Sequence, residues 1–330
     1  LGHLGVDDES AEYKSYYLWN AVEGVDFVID GHSHTVMTSG ESGQPIQSTG
    51  TKFENIGVIV IDNATKKIED HYLVPEGDLK EMTSAYVTGF AQEIVDSVDA
   101  EYKKTFAESE VELNGDKPAN RAAESNNGDL ITDAMLWSVK NAGGELNVPA
   151  ENVLAITNGG GIRAWIHKGP VTKADVTTVL PFGNTIAVVY VTGAELLEAL
   201  EASTFALPGT EGGFPQIAGM KMTIDTSKPY DKGAQYPEST FYGPKSINRV
   251  TIDSINGKPF DAKATYAVVT NNFCQVGGDT YYAFRAAYEA GKTFDTSIAM
   301  DVAVMDYVTE ILGGKIGAEY AAPQGRITIK

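Results

Sequence analysis

Length, composition and charge set the first limits on this chain. Its 330 residues are 42% hydrophobic, which is enough for two domains with separate cores. The formal charge of −20 argues against nucleic-acid polymers and anionic membranes as partners. Cys274 is the only cysteine, so an intrachain disulfide is excluded. No stretch approaches the roughly 20 apolar residues of a membrane span.

Residues 1–77 alternate helix-like and strand-like segments, which is typical of a layered α/β structure. We expect a helix over Ser10–Val22 and strands over Asp26–Asp30, Ile56–Ile61 and Ile68–Val74.

Residues 78–112 are charged and helix-prone, and they carry apolar side chains at four-residue spacing from Phe90 to Tyr102. This spacing predicts a long amphipathic linker helix between two domains. An ordinary helix packed in the core of one domain is the alternative.

The remainder, residues 113–330, mixes helices and strands without strict alternation, which favours an α+β domain with a mixed sheet. Asn and Asp residues before the first helix favour its start. Residues 205–245, rich in Gly, Pro, Ser and Tyr, predict a long irregular excursion. The expected helices are Asp129–Asn141, Gly193–Thr204, Thr280–Ala290 and Val302–Leu312. The expected strands are Val153–Thr157, Thr185–Thr192, Lys221–Asp225, Arg249–Ile252 and Tyr266–Asn271.

Two histidine segments stand near the start, Gly2-His3-Leu4-Gly5 and Asp30-Gly31-His32-Ser33-His34-Thr35. The second follows an apolar, β-branched stretch and a glycine turn, so its imidazoles could reach a shared ion from the end of a strand. Surface-loop histidines, or histidines bonded to backbone carbonyls, are the alternative. The residues alone do not decide between a metal site and histidines that bind no metal.

Further motifs combine glycine with a charged or aromatic side chain. In Asn158-Gly159-Gly160-Gly161-Ile162-Arg163 the glycines allow close approach of a ligand, and Arg163 offers a planar fork for phosphate. A glycine turn with a solvated arginine is the alternative. Phe182 and Phe273 also lie near glycines, which favours exposed turns, although a lone Phe is more often a core residue.

Taken in order, these motifs resemble the 5'-nucleotidase family. The histidine segments are similar to the last two metal motifs of its calcineurin-like metallophosphatase domain. The later motifs are similar to its C-terminal domain. The resemblance implies that residues 1–77 are an α/β remnant, the C-terminal part of a four-layer metallophosphatase domain. It implies that 78–112 form the linker and that 113–330 form the substrate-binding domain. The later motifs are Arg121 to Asp133 (RAAESNNGDLITD), Asn158 to Arg163, Leu180-Pro181-Phe182-Gly183, and Asn272 to Asp279 (NFCQVGGD).

The resemblance also implies a metal site. In the family two divalent cations, Zn, Mn or similar, activate water and neutralise phosphoryl oxygens. His3 and His32 match ligands of one cation, and His34 matches a ligand position of the other. The family's earlier Asp-X-His, Asp and Asn-His-Glu motifs have no counterpart ahead of His3. Catalytic residues are therefore unassigned, and we expect the chain as it stands, without its first half, to be inactive.

The implied substrate site lies in the C-terminal domain. Phe182 and Phe273 match a pair of aromatics that sandwich a nucleobase, and Asp279 matches a carboxylate that accepts hydrogen bonds from ribose hydroxyls. The other implied contacts are Arg121 and Arg163 to phosphate, Asn158 to base or ribose, and Gly160 and Gly161 to the ligand through their backbone. Lys117 stands where some relatives carry a second arginine. A lysine keeps the positive charge but lacks the forked guanidinium that can bind two phosphate oxygens.

The resulting expectation is an exported, metal-dependent nucleotide phosphohydrolase of the 5'-nucleotidase or UDP-sugar hydrolase type, extracellular, periplasmic or at the cell surface. A 2',3'-cyclic-nucleotide phosphodiesterase uses the same base platform and is the enzymatic alternative. A catalytically inactive nucleoside-binding fragment is the alternative of a different class. The partner is a nucleotide or nucleoside, and the oligomeric state is not predicted.

Overall fold

The computed structural model describes residues 1–6, 14–80 and 82–330. It divides into two compact units, Leu1–Asp96 and Ser97–Lys330. The division lies inside a long helix, within the segment for which the sequence predicts a linker. The predicted domain limits of 77 and 113 stay predictions.

The first unit contains a short helix and two small sheets. A three-stranded sheet has the order β1-β3-β2, with β1 parallel to β3, and β4 and β5 form an antiparallel hairpin. Tyr16, Val28 and Ile46 form the small core. The predicted helix from Ser10 begins at Ser15 in the described residues, and positions 7–13 lie outside them. The elements are α1 (Ser15–Ala21), β1 (Val28–Ile29), β2 (Val36–Met37), β3 (Ile46–Thr49), β4 (Asn55–Ile61) and β5 (Ile68–Pro75).

The long helix, α2, spans Ala85–Tyr102 and has no buried residue. Its large apolar side chains are exposed, with 58% of the surface accessible at Phe90 and 41% at Tyr102. The alternative of a helix packed within a domain core is therefore not what the structure shows. Its predicted role as a bridge stays a prediction. The helix is also shorter than 78–112, because strand β6 begins at Thr105.

The second unit is built on a five-stranded mixed sheet of order β10-β7-β15-β9-β16. Strands β7 and β15 are parallel and the other neighbours are antiparallel, so the predicted mixed sheet is confirmed. These strands are β7 (Val153–Asn158), β9 (Thr185–Thr192), β10 (Pro215–Ala218), β15 (Thr265–Asn271) and β16 (Thr293–Ala299). The helices are α3 (Lys117–Ala122), α4 (Asn126–Asn141), α5 (Lys173–Val179), α6 (Gly193–Ala202), α7 (Asn272–Gln275), α8 (Arg285–Glu289) and α9 (Met300–Glu310).

Both faces of this sheet are buried. Along β15, Ala267 and Val269 join one core cluster with residues of α4 and α9, whereas Tyr266 and Val268 join a second cluster with residues of α6 and α8. Successive side chains of a strand point to opposite faces, so a strand covered on both sides reads as a continuous apolar run. The unit is accordingly a helix–sheet–helix sandwich.

Smaller sheets surround the sandwich, with orders β14-β11-β18, β17-β6-β8 and β12-β13. Residues 205–245 were expected to be irregular apart from a strand over Lys221–Asp225, which is present as Met220–Ile224. The expectation was wrong in part, because three further short strands lie within the segment. Those strands are short or rich in Gly and Pro, which conceals the alternation that marks a strand. The strands are β6 (Thr105–Ser109), β8 (Gly169–Thr172), β11 (Met220–Ile224), β12 (Lys232–Gln235), β13 (Tyr242–Pro244), β14 (Val250–Ile255), β17 (Lys315–Ile316) and β18 (Ile327–Ile329).

Two predicted helices of the second unit differ from the structure by more than a shift of one or two residues at an end. Helix α4 begins at Asn126 rather than Asp129, because the Ser125 hydroxyl caps it by accepting a hydrogen bond from the Gly128 N–H at 2.9 Å. The predicted helix over Thr280–Ala290 is a 3₁₀ turn at Tyr282–Phe284 followed by α8. No helix of the described residues is long and apolar enough to cross a membrane.

Candidate functional site

Four loops meet at one edge of the main sheet because of its strand directions. Strands β7 and β15 are parallel, so the loops that follow Asn158 and Asn271 leave from the same edge. Strands β9 and β10 run antiparallel to these neighbours, so the loops that precede Thr185 and Pro215 arrive there. Three of the predicted substrate motifs lie on these loops, namely Asn158 to Arg163, Leu180 to Gly183 and Asn272 to Asp279, whereas Arg121 lies on α3.

A cavity of about 440 Å³ opens at this edge. All eight residues that the resemblance assigns to substrate binding line it, together with three that the sequence analysis did not single out. The eight are Arg121, Asn158, Gly160, Gly161, Arg163, Phe182, Phe273 and Asp279, and the three are Asn184, Glu211 and Gly212.

A chain of amide hydrogen bonds fixes the polar wall of the cavity. The Asn271 side chain donates to Asn158 Oδ1 at 2.9 Å, and Asn158 Nδ2 donates to Asp279 Oδ2 at 2.8 Å. Asn271 also caps α7 by accepting the Cys274 N–H at 2.8 Å. Because Asn158 and Asn271 are buried strand ends, the Asp279 carboxylate is held in a fixed position by rigid elements.

The glycine turn after β7 depends on the absence of a side chain at Gly159. A Cβ there would lie 1.7 Å from the carbonyl oxygen of Asn120, so only glycine fits. The Gly159 N–H donates to the Phe214 carbonyl at 2.7 Å. The fully buried Gln216 side chain donates to the carbonyl oxygens of Asn120 and Ala123. These contacts join the segment that carries Arg121 to the sheet edge.

Arg121 lines the cavity and also carries a buried donor group without a partner among the described residues. Its Nε atom is buried and has no hydrogen-bond partner in the part of the chain that the structure describes. A buried donor without a partner costs free energy, and such orphans call for an explanation such as a ligand.

The remaining side chains are exposed and available for contact. Phe182 and Phe273 retain 58% and 42% of their surface, so both rings offer a face to a ligand. Arg163 lies over the Phe182 ring, with 5.5 Å between its Cζ and the ring centroid, and its Nη1 donates to the Gly160 carbonyl at 3.3 Å. A guanidinium stacked on an aromatic ring is held in place for binding an anion.

The electrostatics of the cavity single out Asp279. Burial raises the pKa of its carboxyl above 3.8, and the neighbouring charge of Glu211 raises this pKa further. The hydrogen bond from Asn158 and the positive charge of Arg121 act in the opposite direction. A partly desolvated carboxylate gains more from hydrogen-bond donors of a ligand than a solvated one does.

The three lining residues that the sequence analysis missed stand beside its motifs. Asn184 directly follows Pro181-Phe182-Gly183, so extending that motif by one residue would have included it. Glu211 and Gly212 lie in the stretch that was interpreted as an irregular excursion. Their signal was a Glu-Gly-Gly sequence directly before the apolar start of a strand.

In the first unit the structure brings two of the three predicted metal ligands together. His32 Nδ1 and His3 Nε2 are 3.3 Å apart, with the rings edge to face. His34 is not part of this contact. Within residues 1–6, 14–80 and 82–330, no group of three His, Cys, Asp or Glu side chains could hold a metal ion. The assignment of His3, His32 and His34 as ligands stays a prediction.

The nitrogen separation in this pair nevertheless equals that of two ligands on one cation. Two nitrogens at about 2.0–2.1 Å from a tetrahedral Zn²⁺ are about 3.3 Å apart, which is the separation found here. His32 and His34 also have positive φ angles of 74° and 54°, which non-glycine residues rarely adopt. The Asp30 carboxylate accepts the N–H groups of Leu4 and Gly5 and so holds the segment of His3 beside that of His32.

Comparison with known proteins decides the family. The family described as "5'-nucleotidase, C-terminal domain" matches residues 105–286, more than half of the chain. The chain belongs to the 5'-nucleotidase family. In sequence it is similar to the trifunctional nucleotide phosphoesterase protein YfkN of Bacillus subtilis, with 32% identity over 87% of this chain and 19% of that protein. It is also 25% identical to a snake venom 5'-nucleotidase of Macrovipera lebetinus over 99% of this chain and 81% of the venom protein.

The fold is similar to solved structures of the same family. The 5'-nucleotidase precursor of Thermus thermophilus matches with a TM-score of 0.58 and 30% identity, over 93% of this chain and 60% of that one. The chain thus spans about a fifth of the Bacillus family member and three fifths of the Thermus one.

Proposed function

We propose that the second unit binds nucleoside monophosphates in the cavity at the sheet edge, and that the protein serves nucleotide phosphohydrolysis of the 5'-nucleotidase or UDP-sugar hydrolase type. One observation supports this most strongly: aromatic, carboxylate and guanidinium groups, each suited to one part of a nucleotide, line a single cavity. Its 440 Å³ are within the usual range of small-molecule sites.

Each group has a part of the ligand to bind. Phe182 and Phe273 stack on the faces of the base, which tolerates different bases. Asp279, held by Asn158, accepts hydrogen bonds from the ribose hydroxyls. Arg121 and Arg163 bind the phosphate through charge-assisted hydrogen bonds, in which the forked guanidinium matches two phosphate oxygens.

The first unit is proposed to carry the metal site. His3 and His32 would hold one divalent cation such as Zn²⁺ or Mn²⁺, and His34 would contribute to a second. Bound cations of this kind supply activated water and neutralise phosphoryl charge. The segments that present the histidines are fixed by Asp30, which accepts two backbone N–H groups.

We further propose that residues 1–77 are part of a metallophosphatase domain and that the protein acts outside the cell or at its surface. Several relatives fit this location, among them a venom enzyme and a cell wall protein of Listeria monocytogenes.

The stacking role is tested by removing one ring at a time. Phe182→Ala or Phe273→Ala should weaken adenosine and AMP alike by about 1–3 kcal/mol, because the base is common to both ligands. Titration calorimetry measures this, with Phe294→Ala as a control for loss of an exposed ring outside the cavity. Unchanged affinity for both ligands in both cavity variants would rule out the sandwich.

Binding should also depend on pH through Asp279. The raised pKa of this carboxyl means that its charge is complete at high pH and is lost as the pH falls through the raised value, above 3.8. Adenosine affinity should therefore fall as the pH is lowered through the raised pKa of Asp279, since a carboxylate accepts hydrogen bonds from hydroxyls better than a carboxylic acid does. Asp279→Asn should bind weakly with a flat profile. If Asp279→Asn shows the same pH dependence of adenosine affinity as the wild type, that dependence comes from another titratable group.

A further inference from the structure

Glu211 lines the cavity, but the proposed function assigns it no contact with the ligand. It stands shortly before β10, half-buried, and its backbone N–H donates to the Arg121 carbonyl at 3.0 Å. Its Oε1 accepts the Gly213 N–H at 3.4 Å. The carboxylate is thus tied to a short glycine turn in the cavity wall rather than free on a mobile loop.

The turn places Glu211 close to Asp279. A Cβ on the next residue, Gly212, would lie 3.5 Å from Asp279 Oδ2 and 3.9 Å from Arg121 Nη1. The Gly212 carbonyl accepts the Gly160 N–H at 2.8 Å, which fixes the turn against the glycine segment after β7. Glu211, Asp279 and Arg121 therefore share one end of the cavity.

This end has two carboxylates beside one guanidinium. Burial is the main cause that raises the pKa of Asp279, and the negative charge of Glu211 raises it further. A ligand hydroxyl placed there can donate to a carboxylate. A second anionic group of the ligand would meet two negative charges against the single positive charge of Arg121, which the proposed function assigns to the 5'-phosphate. Like charges disfavour each other strongly under these conditions.

We propose that Glu211 is a specificity-determining residue that makes the site select nucleotides with a free ribose 2',3'-diol and reject those with a phosphate on that edge. This proposal rests on the proposed function, in which Asp279 accepts hydrogen bonds from the ribose hydroxyls. It deepens that function by favouring 5'-monophosphates over 3'-monophosphates and over 2',3'-cyclic phosphates, which are the substrates of the phosphodiesterase alternative.

Isomeric ligands test the proposal without any need for turnover. Adenosine 5'-monophosphate and adenosine 3'-monophosphate carry the same charge, so their affinity ratio cancels any effect of net protein charge. Calorimetry on the 330-residue chain should show a preference for the 5' isomer. In Glu211→Gln this preference should fall by about fivefold or more, because one like charge is gone. Adenosine 2',3'-cyclic phosphate should gain affinity in parallel.

Glu310→Gln is the matched control, since Glu310 is an exposed carboxylate at the end of α9 that does not line the cavity. It should leave the ratio unchanged. Glu211→Ala provides a second variant without charge, and melting temperatures verify that all variants fold. If the wild type binds the 5' isomer but neither Glu211 variant changes the ratio, the role of Glu211 is overturned and the proposed function stands. If the wild type binds neither isomer, both the role of Glu211 and the proposed function are overturned.

Discussion

The purified 330-residue chain should hydrolyse AMP at least about 10²–10⁴-fold more slowly than an intact 5'-nucleotidase, even with Mn²⁺ or Zn²⁺ added. The family's Asn-His-Glu motif does not occur in these residues, so its imidazole cannot assist the leaving group. His3 and His32 fit one cation, and the described residues contain no carboxylate cluster that would compensate the charge of a second.

Phosphate release from AMP measures this, with the intact mass of the chain verified and EDTA as the control. Turnover near the rate of an intact family member that EDTA abolishes would show that other residues perform the chemistry. Loss of a general acid–base group is the smallest of the expected penalties, so slow residual release would not contradict the expectation.

Arg163→Ala should weaken AMP binding by about ten- to a hundredfold and adenosine binding by far less. A hydrogen bond to a charged group contributes about 1.5–3 kcal/mol, and this contribution exists only when the phosphate is present. The Phe182 ring also loses the guanidinium that lies over it, so a small loss for adenosine is expected.

Arg163→Lys is the matched variant, because it keeps the charge and removes the fork. It should recover part of the AMP affinity. Calorimetry measures the affinities of AMP and adenosine for Arg163→Ala and for Arg163→Lys. Equal losses for AMP and adenosine in Arg163→Ala would assign Arg163 to the structure of the glycine turn instead of to phosphate.

The sequence was most informative where a motif combined glycine with a strand end. Asn158 and Gly159 follow a buried apolar strand, and the steric conflict at Gly159 explains why a glycine stands there. The strand order could not be read in this way, because it depends on pairing between distant segments. The convergence of four loops at one edge is therefore a result of the structure.

The sequence was least informative where chemistry lies outside a motif. Glu211 sits in a stretch that was interpreted as largely irregular. Its local signal, the Glu-Gly-Gly sequence before an apolar strand start, does not by itself identify a residue that faces a cavity. The limits of α4 were misjudged because Ser125 competes with several other good caps nearby. The resemblance assigned His3 and His32 to one cation and His34 to the other, and the structure brings His3 and His32 together.

A crystal structure of the chain with AMP tests the central claim most directly. The account predicts one molecule in the sheet-edge cavity. Its adenine should lie between Phe182 and Phe273, its ribose hydroxyls within hydrogen-bond distance of Asp279, and its phosphate on Arg163 and Arg121. A cavity that stays empty at saturating AMP, or an AMP molecule bound elsewhere with both rings still exposed to solvent, would contradict it.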